Sequence, residues 1–155
     1  MSYRISTPRP EFVARARAEG KDDQDQPVRR LVAEGGEPLR DLLRRARPGE
    51  AILLGSYCGF TQPGPFREYG PIYVSAAASE AAPGSIAAIV DRGYFPSPFV
   101  LRAYAADGDI ARAEIVAPDQ AEARLAVLLD GAAFVDARFA AFGCWAARFS
   151  AADRP

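Results

Sequence analysis

Three stretches of the chain space their apolar residues as an α-helix does. Over residues 10–19, Phe12, Val13 and Ala16 share one face, with Pro10 early and Gly20 at the exit. Residues 38–46 open on Pro38 and set Leu39, Leu42, Leu43 and Ala46 along one stripe. Arg40, Arg44 and Arg47 turn away from that stripe, and Pro48-Gly49 stops the predicted helix. Residues 119–130 carry Asp119 and Glu122 in capping-box spacing, run through Ala121, Leu125, Leu128 and Leu129, and end at Gly131.

Elsewhere the period shortens to that of a strand. Residues 51–57 and 71–76 are short and apolar, joined by a loop rich in Gly and Pro. Residues 99–116 split at Asp107-Gly108, a hairpin signal; a two-residue loop there sets Arg102 opposite Ala113, Tyr104 opposite Ala111 and Leu101 opposite Glu114. In the run 134–149, Val135, Ala137 and Phe139 alternate on one arm and Trp145, Ala147 and Phe149 on the other. A three-residue loop, Ala141-Phe142-Gly143, brings both sets onto one face, with Gly143 at positive φ. The expected fold is α+β: a single domain with a mainly antiparallel sheet and about three helices packed on one of its faces. The polar run 20–27 reads as a mobile loop, too short to separate two domains.

Composition narrows the chemistry. The 155-residue chain has no histidine and one lysine, Lys21, set among polar residues. The usual general base near neutral pH, the commonest metal ligand and a desolvated Schiff-base lysine are therefore missing. A formal net charge of −1 and dispersed arginines speak against nucleic-acid or anionic-membrane partners. Two cysteines are too few for a disulfide scaffold, and neither an apolar leader core nor a stretch of membrane-span length is visible. These features predict a cytoplasmic protein.

Local motifs add little. Cys144, before Trp145, lacks a histidine to activate it and reads first as a structural thiol. Cys58, at a strand end before a loop, reads as exposed and oxidisable but has the same shortage of a base. Asp107 and Asp109 are turn residues rather than a metal site. Gly55-Ser56-Tyr57-Cys58-Gly59 fails the spacing of a nucleophile elbow, and no phosphate-cradling glycine loop is present, so no cofactor is expected. The loop 59–71 gathers Phe60, Phe66, Arg67 and Tyr69, either folded back over the core or forming a binding rim.

Several blocks taken in order carry a resemblance: Gly36-Glu-Pro-Leu-Arg-Asp-Leu-Leu43, Pro48-Gly-Glu-Ala-Ile-Leu-Leu54, Ser56-Tyr57, Phe66-Arg-Glu-Tyr-Gly-Pro-Ile-Tyr-Val74, Leu101-Arg-Ala-Tyr104, Val135-Asp-Ala-Arg138 and Gly143-Cys-Trp145. Together they resemble the bacterial family catalogued as domain of unknown function 1203, which implies a small cytoplasmic domain without an established activity. Arg40, Tyr69, Gly70, Pro71, Arg102, Tyr104, Arg138 and Cys144 match the family pattern. This chain departs from it where cysteines are usual, at Leu39 and Leu42, and where histidine is usual, at Asp136. Chemistry done by those groups in relatives would be lost here.

The leading expectation is a non-catalytic module that binds a small anionic ligand or a protein partner. The alternative is an enzyme relying on Arg, Tyr and Cys144 without histidine or metal. A homodimer through an edge strand or the C-terminal hairpin is a third candidate. Arg102 and Arg138 lie inside strands, where arginine either pairs with a protein carboxylate, Asp136 or Glu114 being at hand, or offers its fork to an anion. The second option predicts both guanidinium groups converging on one cavity, bordered by Tyr104 and Tyr69. Arg40 and Cys144 complete the candidate binding residues.

Overall fold

The structure is a computed structural model and describes residues 2–77 and 80–152. In chain order the elements are β1 (Tyr3–Ser6), α1 (Pro10–Ala18), β2 (Arg29–Val32), β3 (Pro38–Leu39), β4 (Arg44–Arg45), β5 (Ala51–Tyr57), β6 (Gly70–Ser75), α2 (Ile86–Asp91), β7 (Phe99–Tyr104), β8 (Ile110–Val116), α3 (Ala121–Leu129), β9 (Phe134–Arg138) and β10 (Trp145–Ala151). They form not one sheet but two, of five strands each. The first is antiparallel throughout, in the order β1-β10-β9-β7-β8; the second runs β2-β5-β6-β3-β4, with β3 and β6 parallel. The fold is α+β and dominated by strand.

Alternation decides which side of each sheet is dry. Phe99, Leu101 and Ala103 of β7, Val135 and Ala137 of β9, and Ala147 and Phe149 of β10 turn to one face of the first sheet. There they meet Ile86 and Ile89 of α2 and Leu125, Leu128 and Leu129 of α3. Helix α1 covers the second sheet instead, packing Phe12 and Ala16 on Leu53, Tyr57, Ile72 and Val74. The helices therefore divide between the sheets, contrary to the single helical face expected.

Residues 38–46 are not a helix. Pro38–Leu39 pairs with Arg44–Arg45 and with β6, and the chain reverses between them. One turn forms, with the Leu43 amide donating to the Leu39 carbonyl at 2.8 Å, but Leu43 sits at φ +51°, a conformation that cannot propagate a right-handed helix. The apolar stripe is buried as its spacing predicts, with Leu39, Leu42, Leu43 and Ala46 all in the interior. The arginines are the surprise: Arg40 and Arg44 are buried too, because tertiary partners receive them. Arg44 pairs with Glu50 and Glu80.

Both hairpins keep the expected register through their bodies and depart from it near the turn. Arg102 opposes Ala113 and Leu101 opposes Glu114, but a bulge shifts Tyr104 onto Ile110 rather than Ala111. The turn takes three residues, Ala106 to Gly108, the Gly108 amide donating to the Ala105 carbonyl at 3.0 Å. In the C-terminal hairpin Ala147 opposes Ala137 and Phe149 opposes Val135. The loop here holds four residues, Ala140 to Gly143, closed by the Phe139 amide on the Cys144 carbonyl at 3.0 Å, and a bulge at Ala146 restores the register. That bulge sends Trp145 to the opposite face from Ala147 and Phe149, correcting its expected side.

The capping box at α3 does not form, since Gln120 is its N-cap and makes no side-chain cap bond, while Glu122 accepts from the Tyr3 hydroxyl at 3.2 Å. Helix α2 and strands β1 and β2 were not predicted. In the run 20–27, Lys21 bridges Pro27, and buried Asp22 accepts from the amides of Gln24, Gln26 and Ser56 at 2.9–3.0 Å. No helix of the described residues is long and apolar enough to cross a membrane.

Gly143 sits at φ +72° with open space where a side chain would project. Gly143→Val should therefore cost about 1–3 kcal/mol through backbone strain alone, read as a lower midpoint in urea. Truncation of the fully buried Leu43 to Ala should cost about 2–5 kcal/mol in the same measurement.

Candidate functional site

A cavity of about 780 Å³ opens beside the second sheet, walled on its far side by the β9–β10 turn and the segment 95–99. Tyr73, Phe95, Phe99 and Phe139 give it an apolar wall; Arg40, Arg45 and Cys144 give it polar groups. Phe139 arrives there because the four-residue loop carries it past the end of β9. Arg40 arrives because the reversal at residues 40–43 turns it inward.

Arg40 is 1% exposed. Its Nε donates to the Trp145 carbonyl at 2.9 Å, Nη1 to the Pro38 carbonyl at 2.9 Å, and Nη2 to Cys144 Sγ at 3.2 Å. That uses three of its N–H donors, and guanidinium has five. Arg45 donates from Nε to the Tyr94 carbonyl and from Nη1 to the Gly36 carbonyl. Both guanidinium carbons lie over the Phe139 ring, 5.1 and 5.4 Å from its centroid. Among the described residues neither arginine forms an ion pair with a carboxylate. Burial holds the Arg45 pKa below its ordinary value, and the neighbouring Arg40 charge lowers it further. On the rim, Glu37 is committed to its own turn, accepting the amides of Glu34 and Gly35 at 2.8 Å each. The cleft wall thus holds two adjacent cations, Arg40 almost wholly buried behind it, with Glu34 and Glu37 also on its lining.

Three other candidates lie on the face of the first sheet opposite α2 and α3. Arg102 and Arg138 both approach a protein carboxylate there, but it is Glu68 from the loop between β5 and β6. The carboxylates expected as their partners are engaged elsewhere: Asp136 holds Arg148 through bonds of 2.7 and 2.9 Å, and Glu114 holds Arg124 at 2.6 and 2.8 Å. Tyr104 is fully buried, stacked on Phe134 with centroids 4.8 Å apart and edge-on to Phe60 at 5.4 Å. Its hydroxyl and the Trp145 Nε1 have no hydrogen-bond partner among the described residues. Tyr69 is largely exposed and lies instead beside Arg67 and Cys58. Cys58 is buried rather than exposed, its Sγ donating to the Phe60 carbonyl at 3.5 Å. Of the loop aromatics, Phe60 folds over the core while Phe66 and Tyr69 remain at the surface.

The candidate residues therefore divide among three places. Arg40 and Cys144 belong to the cleft, Arg102, Arg138 and Tyr104 to the sheet face, and Tyr69 to the surface beside Arg67 and Cys58. Sequence reasoning missed Arg45, Phe139, Glu68 and Arg148 as members of these sites. Glu68 stood inside a block shared with the family, which was the available signal; Arg148 stood in a strand opposite Asp136 and was legible once the register was known. No group of three or more His, Cys, Asp or Glu among the described residues is placed to hold a metal ion.

Two sheets with helices divided between them, and a cleft lined by arginines and aromatic rings, define an α+β protein with a preformed pocket. Residues 36–150 match the model of a protein family of unknown function, DUF1203, and the chain belongs to that family. The match includes each side chain of the cleft and of the sheet-face cluster discussed above, while β1, α1 and β2 lie outside it. No curated protein and no solved structure matches the chain.

Replacing Asp136 by Ala would leave Arg148 largely buried without its carboxylate. The expected loss is about 3–5 kcal/mol, measured by chemical denaturation.

Proposed function

We propose that the protein is a binding module for small organic anions. The acidic group of the ligand lies against Arg40 and Arg45, and its apolar body against Tyr73, Phe95, Phe99 and Phe139. One observation carries this reading: two neighbouring guanidinium groups share the wall of an apolar cleft and neither is neutralised by a carboxylate among the described residues. The cleft volume falls in the range of small-molecule sites. A charged hydrogen bond formed there contributes about 1.5–3 kcal/mol, enough to orient a weakly held apolar body. The low net charge of the chain fits a cytoplasmic module without nucleic-acid or membrane partners.

A second reading, a thiol enzyme, is favoured by one contact only, the 3.2 Å approach of Arg40 Nη2 to Cys144 Sγ in the same cleft. The residues present supply no general base of the histidine kind to turn a thiol over.

Titration with phenylpropionate and with its neutral amide separates the readings. The module binds the acid and not the amide, and Arg45→Gln weakens the acid roughly tenfold or more with a near-parent melting temperature. Bound phenylpropionate slows modification of Cys144 by a thiol reagent. Equal binding of acid and amide contradicts the anion module. Rapid, selective labelling of Cys144 that phenylpropionate leaves unchanged favours the enzyme.

A further inference from the structure

On the face of the first sheet opposite α2 and α3 two arginines approach one carboxylate. Arg138 is 6% exposed; it donates from Nε to the Gly143 carbonyl at 2.8 Å and pairs through Nη1 with Glu68. Arg102 Nη1 stops 3.9 Å from the same Glu68 oxygen, beyond hydrogen-bond reach. The neighbouring pair is built differently. Asp136 is fully buried and holds Arg148 at two points, as a permanent part of the sheet. Glu68 is 45% exposed and comes from a segment without regular structure.

Arg138 has one backbone carbonyl and one carboxylate for its buried guanidinium, and a half-exposed carboxylate contributes little by pairing. One carboxylate between two guanidinium groups also leaves a positive charge over. Donors are in excess on this face as well: Tyr104 lies two residues along β7 from Arg102, Trp145 lies across from Arg138, and both carry buried polar atoms without a partner among the described residues. A monocarboxylate entering here would only repeat what Glu68 already does. A tetrahedral dianion brings a second charge and a further oxygen for Arg102.

We propose that Arg102 and Arg138 form an exchangeable oxyanion site, filled by Glu68 from the chain itself and taken over by a dianion of the phosphate or sulfate class when Glu68 swings outward. This site is separate from the cleft and does not depend on what the cleft binds.

The test is calorimetric titration of inorganic phosphate, sulfate and acetate, at constant ionic strength, into the parent, Glu68→Gln and the Glu68→Gln/Arg102→Gln double variant. Glu68→Gln should bind phosphate and sulfate roughly tenfold or more tighter than the parent does, with a smaller gain for acetate, and loss of Arg102 should abolish the gain. Saturating phenylpropionate should leave the gain shown by Glu68→Gln unchanged, which separates this site from the cleft. A Glu68→Gln protein that melts below the parent in chloride and recovers in phosphate also supports the site. The proposal is overturned if Glu68→Gln binds phosphate no tighter than the parent, if the gain survives loss of Arg102, or if the variant fails to fold in either buffer.

Discussion

Arg40 carries a full positive charge into an interior where it meets two carbonyl oxygens, a thiol and an aromatic face, but among the described residues no carboxylate. An isolated charge there is strongly disfavoured unless polar groups surround it, so the backbone around Arg40 has little freedom to drift. The Pro38 carbonyl belongs to the second sheet and the Trp145 carbonyl to the first. One guanidinium thereby fixes the distance between a reversal in one sheet and a hairpin in the other. The cleft exists because that distance is held.

The bulge at Ala146 serves the same junction. Ala146 and Ala147 both reach the core under the helices, and Trp145 is turned to the far side, where it packs on Tyr57 with ring centroids 5.2 Å apart. Tyr57 in turn meets Phe12 at 5.0 Å. A single extra residue in β10 thus links the core of one sheet to α1 on the other. It also leaves the carbonyl of Trp145 in the path of Arg40.

Charge is arranged unevenly across the molecule. Arg44 with Glu50 and Glu80, Arg17 with Asp41, and Arg148 with Asp136 are matched inside the chain. Among the described residues Arg40 and Arg45 are not, and Arg102 and Arg138 divide one carboxylate. A net charge near zero therefore hides two local concentrations of positive charge, one in an apolar cleft and one under a surface loop. Arginine suits both, because its planar fork tolerates burial and presents several donors in fixed directions.

By itself the sequence determined what depended on short-range spacing. Helix α1, most of α3, strand β5 and the body registers of both hairpins follow from periods of 3.6 and 2 and from turn glycines, since neighbours along the chain decide them. Burial of Leu39, Leu42 and Leu43 was legible for the same reason, although their secondary structure was not. Tertiary contact decided the rest. A helical stripe became a reversal because β6 offered Leu39 a parallel partner and Glu50 and Glu80 received Arg44, contacts worth more than intrinsic helix propensity. Edge strands β1 and β2 pair with segments far along the chain and have no local signature to display. That Arg102 and Arg138 would meet a carboxylate or an anion was readable from their places in two strands, but the carboxylate between them came from a loop, and only the folded chain brings Glu68 across the sheet.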